Sequence, residues 1–335
     1  MYAAGLLNYS EHPMKVIIDT DAGVDDAVAL FLALAAHKDP KCPFEIIGIT
    51  CVLGNTGVDN VCRNVFTVLD STGVSNIPVF RGADTPLVQP FIRGESPFFG
   101  VDGFGGVHSL PNIPVVKQER TLEKESAPLA LVRLAREFQG ELTVVALGPC
   151  TNLGIAINID PNFVKNVKEL YIMGGNSHGV GNIRPCVEFN FFVDPESAFV
   201  VLSAAWNQKI VMVPLETCKL AMSSMEWRKQ VLGTIKSSCS ISLKKGLLQR
   251  FEKDYGSWCS CDAVCMAVLL KPSIISKSST NYCTVELQGA HTRGQVVVDH
   301  PQKTGKPHNV TIIEQIQLAE LERMLLSTFH PSTFI

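Results

Sequence analysis

Several features that commonly place a protein are missing from this sequence of 335 residues. No apolar run approaches the about 20 residues needed to cross a bilayer, so a helical membrane span is excluded. The first 13 residues, MYAAGLLNYSEHP, lack a basic start and hold only a short apolar patch, so they fail as a signal peptide and read as an extension ahead of Met14. There is no Lys/Arg block and no aromatic–basic repeat. The 29 basic and 32 acidic residues are spread along the chain for a net charge of −3, and nucleic acid is not expected as a partner. The 11 cysteines are odd in number and lack a repeated spacing, which argues against a disulfide framework and for a reducing, cytoplasmic setting. Linker composition, internal repeats and low-complexity tracts are also absent.

What is present is a large apolar fraction, 46%, in short β-branched runs that alternate with helical periodicity. KVIID (15–19) reads as a buried strand and DDAVALFLALAAH (25–37) as the helix after it. FEIIGIT (44–50) is a second strand, followed by helical spacing over 57–71. LTVVAL (142–147), ELYIMGG (169–175) and KIVMVPL (209–215) are further strands, with helical segments beginning at CTNLGIAIN and over 194–206. Strands near 281–287, 294–298 and 309–314 and a helix over 316–327 close the chain. This alternation predicts an α/β fold: one domain over 14–335 with a mostly parallel sheet and helices on both faces. Residues 81–120 read as a Gly- and Pro-containing loop near the site, and 216–262 as a mostly helical, polar insertion. Ligands of such sheets bind beyond the carboxyl ends of the strands, where this chain carries DTDAGVDD, TCVLGN, ALGPCTN and MGGN.

The first of these ends places Asp19, Asp21, Asp25 and Asp26 within eight residues. A helix N-cap with an acidic first turn accounts for Asp25 and Asp26, since carboxylates there gain about 0.3–1 kcal/mol each from the helix dipole. It does not account for Asp19 and Asp21, which follow an apolar strand directly. Clustered carboxylates without Cys or His instead suit a hard divalent cation, Mg²⁺ or Ca²⁺, rather than zinc. The phosphotransferase pattern Asp-x-Asp-x-Thr/Val fits poorly, because Gly23 stands where its Thr or Val belongs and the doubled Asp25-Asp26 is foreign to it.

DTDAGVDDA (19–27) resembles throughout the N-terminal fingerprint of the nucleoside hydrolase family, Asp-x-Asp-Pro/Ala-Gly-x-Asp-Asp-Ala. GITCVLGN (48–55) is similar to the family's second strand ending in Gly-Asn, and VALGPCTNLGIAI (145–157) to its central strand–turn–helix. MGGNSHGVGNIRPCVEFNFFVDPESA (173–198) is similar to the segment that carries Glu-Phe-Asn and Asp-Pro-Glu-Ala. Four motifs in order, from about Met14 to the C-terminus, make the resemblance specific.

The resemblance implies a Rossmann-like fold and Ca²⁺-dependent hydrolysis of the N-glycosidic bond of ribonucleosides, in a homodimer or homotetramer. By the same resemblance Asp21, Asp26, Asp262 and the Leu147 carbonyl are metal ligands. Asp21 doubles as the base toward water, Asn55 stands beside that water, and Asp25 and Asp262 face the ribose hydroxyls. Asn182 and Glu188 take the 5′-hydroxyl, Asn190 the 2′/3′ side, Met173 packs on the sugar, and Asp19 supports from behind. The rival expectation is a non-catalytic nucleoside- or ribose-binding relative.

Two departures stand out. Many family members carry His-Asp where this chain has Cys261-Asp262, as a subset of the family does, so leaving-group protonation falls to a weak acid, a thiol lining the base pocket. The loop VDGFGG has Asp102 where the family often has His. Cys259, Cys261 and Cys265 lack a fourth ligand at zinc spacing, and His108, His178 and His291 are each candidates for contact with the base.

Overall fold

In the computed structural model the described residues are 13–91, 98–106, 108, 120–234, 257–330 and 333. Strand β1 (Met14–Thr20) is apolar on both faces because both are covered: Val16 and Ile18 point into one core and Ile17 into another. It feeds helix α1 (Val24–Lys38), whose acidic first turn and terminal Lys38 both suit the helix dipole. Strand β2 (Phe44–Cys51), helix α2 (Val58–Thr72) and the three-residue β3 (Val79–Arg81) follow. After them come α3 (Ala127–Glu137), β4 (Leu142–Ala146), α4 (Thr151–Ile159), α5 (Phe163–Asn166) and β5 (Glu169–Met173). The site segment then forms α6 (Phe189–Val193) and α7 (Pro195–Ser203), before β6 (Ile210–Val213) and α8 (Leu215–Leu220).

The remaining elements are the two-residue strands β7 (Ser223–Ser224) and β8 (Ser257–Trp258), which pair with each other, and α9 (Met225–Gln230). They are followed by α10 (Cys261–Leu270), β9 (Ile275–Asn281), β10 (Cys283–Val285), β11 (Val296–Val298), β12 (Val310–Ile316) and α11 (Leu318–Thr328).

Among the described residues an eight-stranded sheet runs in the order β3-β2-β1-β4-β5-β6-β12-β9, parallel except for β9, which is antiparallel to β12. The predicted mostly parallel α/β sheet is therefore present. β1 pairs with β2 on one side and with β4 on the other, so the strand order reverses direction there. A switch of this kind opens a crevice beyond the carboxyl ends of the two strands. One sheet face is covered by α1, α2, α10 and α11, the other by α3, α4 and α7.

The C-terminal strand expected near 281–287 resolves differently. Ile275–Asn281 is an edge strand whose Ser276, Lys277 and Ser278 are exposed, so it carries no apolar signal, and Cys283–Val285 forms a separate ribbon with β11. The described residues 82–91 and 98–106 form turns and bends, and the insertion after β6 contains α8 and α9. Residues 1–12 of the expected extension and 235–256 of the expected helical insertion lie outside the described residues.

Candidate active site

Beyond the β1 end the chain turns sharply at Ala22, which has a φ of +32°. This is a strained conformation for a residue with a side chain, of the kind that collects at functional sites. The turn is held by Thr20, whose Oγ1 accepts from the Ala22 N–H at 3.0 Å and donates to Asp26 Oδ1 at 2.5 Å. Asp26 Oδ2 accepts from the Gly23 N–H at 2.8 Å and from Asn55 Nδ2 at 3.3 Å. Asp26 thus does cap the start of α1, while its carboxylate also belongs to a cluster. Carboxylate oxygens of Asp25, Asp26 and Asp262 lie within 4.8 Å of one another, and among the described residues this is the grouping competent to hold a metal ion.

Asp21 adjoins this group. Its Oδ2 accepts from the backbone N–H of Asn55 at 2.7 Å, while its Oδ1 is buried and has no hydrogen-bond partner. Asp25 Oδ1 is buried and unpartnered as well. The fit is so close that Gly54 has no room for a side chain: a Cβ there would sit 2.1 Å from Asp21 Oδ2.

Burial first, and then mutual repulsion, pushes the carboxyls of Asp21, Asp25 and Asp262 well above their ordinary range; Asp26 rises by burial too, against hydrogen bonds from Thr20 and Gly23. Left to themselves these groups would hold protons. Two orphaned oxygens among four crowded carboxyls are a donor set matched to a hard divalent cation, which would favour the ionised forms.

Asp19 stands behind this layer. Its Oδ1 accepts from Thr50 Oγ1 at 2.5 Å and from Asn152 Nδ2 at 2.7 Å, and burial lifts its carboxyl to about 7 against those bonds. It does not line the cavity. Asn152 also donates to the Cys51 carbonyl at 3.0 Å, so α4 joins the ends of β1 and β2.

The Leu147 carbonyl, at the end of β4, accepts from Asn190 Nδ2 at 2.7 Å, and the same amide reaches the Met173 carbonyl at 3.1 Å. Glu188 precedes α6 and accepts from three backbone N–H groups, those of Gly175, Asn190 and Phe191, at 2.9, 3.0 and 3.2 Å. Burial raises its carboxyl to about 7, with those bonds opposing.

Asp21, Asp25, Asn55, Leu147, Met173, Asn182, Glu188, Asn190, Cys261 and Asp262 all line one cavity of about 900 Å³, while Asp26 lies beneath its floor. The sequence-derived residues are therefore brought together from β1, β4, β5, α6 and α10. One difference is that the tight metal-competent trio contains Asp25, with Asp21 alongside it. The ligand set that the resemblance implied has Asp21 where this trio has Asp25.

A second part of the cavity was not legible in advance. It is walled by Phe91, Phe98, Phe99, Phe189, Phe192 and Trp258, with Lys219 and Met222 beside them. These residues come from separate segments and share no motif. Cys261 does line the cavity, and its Sγ lies 3.8 Å from that of Cys259. Cys265 is instead in the core. His108 faces Asn64, with a ring nitrogen 2.7 Å from Asn64 Oδ1, His178 pairs with Ser177, and neither they nor His291 line the cavity. Asp102 turns into its own loop, accepting from the N–H groups of Phe104 and Gly106.

The fold is an α/β protein with a Rossmann-ordered sheet and, at its switch point, a carboxylate cluster consistent with a metal-binding catalytic centre. A family model described as inosine-uridine preferring nucleoside hydrolase matches residues 16–323. The inosine-uridine preferring nucleoside hydrolase of Leishmania major is 32% identical over 289 residues, 86% of this chain and 88% of that protein. The solved structure of an inosine-guanosine nucleoside hydrolase superposes with a TM-score of 0.85 at 30% identity, covering 94% of this chain and 98% of that one. A plant nucleoside hydrolase gives 0.83 at 28% identity, covering 95% and 99%. The chain belongs to the nucleoside hydrolase family, and it is an enzyme of the glycosidase class. No helix among the described residues is long and apolar enough to cross a membrane.

Proposed function

We propose that the protein hydrolyses the N-glycosidic bond of ribonucleosides to ribose and free base, with Ca²⁺ as its cofactor. The observation that carries this reading is the pair of buried, unpartnered oxygens, Asp21 Oδ1 and Asp25 Oδ1, beside a cavity lined by both carboxylates and aromatic rings. Such a cavity takes a molecule with a polyhydroxylated half and a flat half, which describes a nucleoside. Asp21, Asp26, Asp262 and the Leu147 carbonyl would hold the cation, which when bound neutralises the carboxylates and polarises the oxygens it touches.

Cleavage of the C1′–N bond leaves an oxocarbenium-like sugar that ionised Asp21, Asp25 and Asp262 stabilise electrostatically. Asp21 Oδ1 accepts the proton of the attacking water, while Asn55, whose backbone holds Asp21 Oδ2, offers its amide beside that water. Asp25 and Asp262 bind the 2′- and 3′-hydroxyls with Asn190. Glu188 and Asn182 take the 5′-hydroxyl, and Met173 packs under the ring. Cys261 borders the base and places the chain in the subset with Cys in place of His. Residues 14–335 form one catalytic domain, assembled as a homodimer or homotetramer in the cytosol.

The test is reducing-sugar release from inosine, uridine, adenosine, cytidine and guanosine, with calcium and with a chelator. Calcium-dependent turnover of at least one is expected. Tight nucleoside binding without turnover overturns the reading.

A further inference from the structure

The nucleoside reading leaves the departing base unattended, because Cys261 stands at the position of the family's proton donor. We propose that Lys219 contacts the leaving base and stabilises it as an anion, through a charge-assisted hydrogen bond to a carbonyl oxygen on the base. The inference rests on the nucleoside-hydrolase reading and deepens it by naming a residue that acts on the leaving base.

Three observations converge on this residue. Lys219 is the only basic side chain among the described residues that line the cavity. It lies with Met222, Ser257, Trp258, Cys259 and Cys261, while Asp21, Asp25, Glu188 and Asp262 share that cavity with Asn55 and Asn190. Its position is fixed through its neighbour Cys218. That thiol donates to the Cys261 carbonyl at 3.8 Å, and the Cys218 carbonyl accepts from Cys259 Sγ at 3.0 Å. These two contacts clamp the C-terminal turn of α8 against the start of α10, so the next residue along α8 reaches the wall that Cys261 belongs to. The ammonium is close enough for its charge to act on the Cys261 thiol. No ion pair engages Lys219 among the described residues.

The polarity of the cavity matches the charge separation of the reaction. When the C1′–N bond breaks, its electron pair stays with the base nitrogen and the sugar becomes cationic. The carboxylates face the developing positive charge and Lys219 the developing negative one, which resonance carries to the exocyclic oxygen of a uracil or hypoxanthine ring. Water supplies the hydroxyl at C1′ and gives one proton to Asp21, which passes it to solvent, and the base anion takes a proton from solvent after release, so the sum is nucleoside plus water to ribose plus base. Adenine offers an amino group where these bases offer a carbonyl, and an ammonium gains nothing from a donor. Lys219 therefore helps uracil and hypoxanthine to depart and gives no such help to adenine.

Lys219→Met and Lys219→Arg are compared with the native protein on inosine, uridine, adenosine and p-nitrophenyl β-D-ribofuranoside, whose leaving group departs as a stable anion unaided. Lys219→Met is expected to lower kcat/KM for inosine and uridine roughly 10- to 100-fold, the range for a charge-assisted hydrogen bond. The p-nitrophenyl riboside should change less than about threefold, the preference for inosine over adenosine should narrow, and Lys219→Arg should restore most of the loss. An equal loss on all four substrates, or none, with the native protein active, overturns the role of Lys219 alone. A native protein that turns over neither nucleosides nor the p-nitrophenyl riboside overturns the hydrolase reading and this one with it.

Discussion

The side-chain amide of Asn190 donates to the main-chain carbonyl of Leu147 across 43 positions of sequence, at 2.7 Å. A single amide therefore fixes the orientation of a carbonyl that lines the cavity, and Asn190 lines that cavity too. Replacing Asn190 by Ala removes that donor and leaves the carbonyl free to tilt. Calcium affinity should fall roughly 10- to 100-fold, the usual effect of losing a group that orients a ligand. Calorimetric titration of native and Asn190→Ala protein measures it, and equal affinities would detach Leu147 from the metal site.

Gly54→Ala tests Asp21 without altering it. The new Cβ would lie 2.1 Å from Asp21 Oδ2 and 2.8 Å from its Cβ, so the carboxylate must move. A displacement near 1 Å at a reacting group costs on the order of 100-fold in kcat, and that loss is expected with a folded circular-dichroism spectrum. Retained turnover would show that the placement of Asp21 does not matter to the chemistry.

The acidic layer sets an unusual pH dependence for the metal-free protein. Asp19 and Glu188, ordinarily near 3.8 and 4.5, are lifted to about 7 by burial. A carboxyl with a raised pKa makes the folded state bind its proton more tightly than the unfolded chain does. The stability it contributes is complete below the ordinary value and is lost as pH rises through about 7. With a chelator present, Tm should fall between about pH 4 and pH 8. Saturating calcium should flatten or reverse that slope, because it would hold Asp21, Asp26 and Asp262 ionised, and burial raises those carboxyls too. Thermal scans across pH, with and without calcium, check this. Parallel curves would mean that the cation does not bind these groups.

Cys261→Ala separates a wall from an acid. Hydrogen bonding with Cys218 pulls this thiol down, but Cys259 and burial push it up, and it ends well above its ordinary value. A thiol so reluctant to ionise serves better as a surface than as a proton source. The variant should raise KM for nucleosides several-fold and change kcat less than about tenfold, a value below the range expected for removing a general acid. A fall in kcat beyond about a hundredfold would return the protonation step to Cys261.

How much of this was legible beforehand depends on where the signal lies. KVIID followed by DDAVALFLALAAH announced β1 and α1, because apolar runs of the right length and period admit few alternatives. β3 escaped notice because three residues carry no period, and β9 because its Ser and Lys side chains face solvent at the sheet edge. α3 was overlooked despite the Ser126–Ala127–Pro128 start that marks a helix N-terminus. In the site, residues within motifs were found because their spacing is fixed by one turn or one strand end. The aromatic wall and Lys219 were not, since they are gathered from several segments and none looks unusual among its own neighbours.

The direct pairing of β1 with β4 has a consequence for biosynthesis. Asp21, Asp25 and Asp26 leave the ribosome early, the Leu147 carbonyl midway and Asp262 near the end. β12, which borders β6, follows later still. For most of translation the nascent chain therefore carries the first three acids without their fourth, and it cannot close a cage around a cation. A cation that needs all four groups would be captured only after residue 262 has emerged, and a truncated chain ending before it is left with the repulsion and none of the relief.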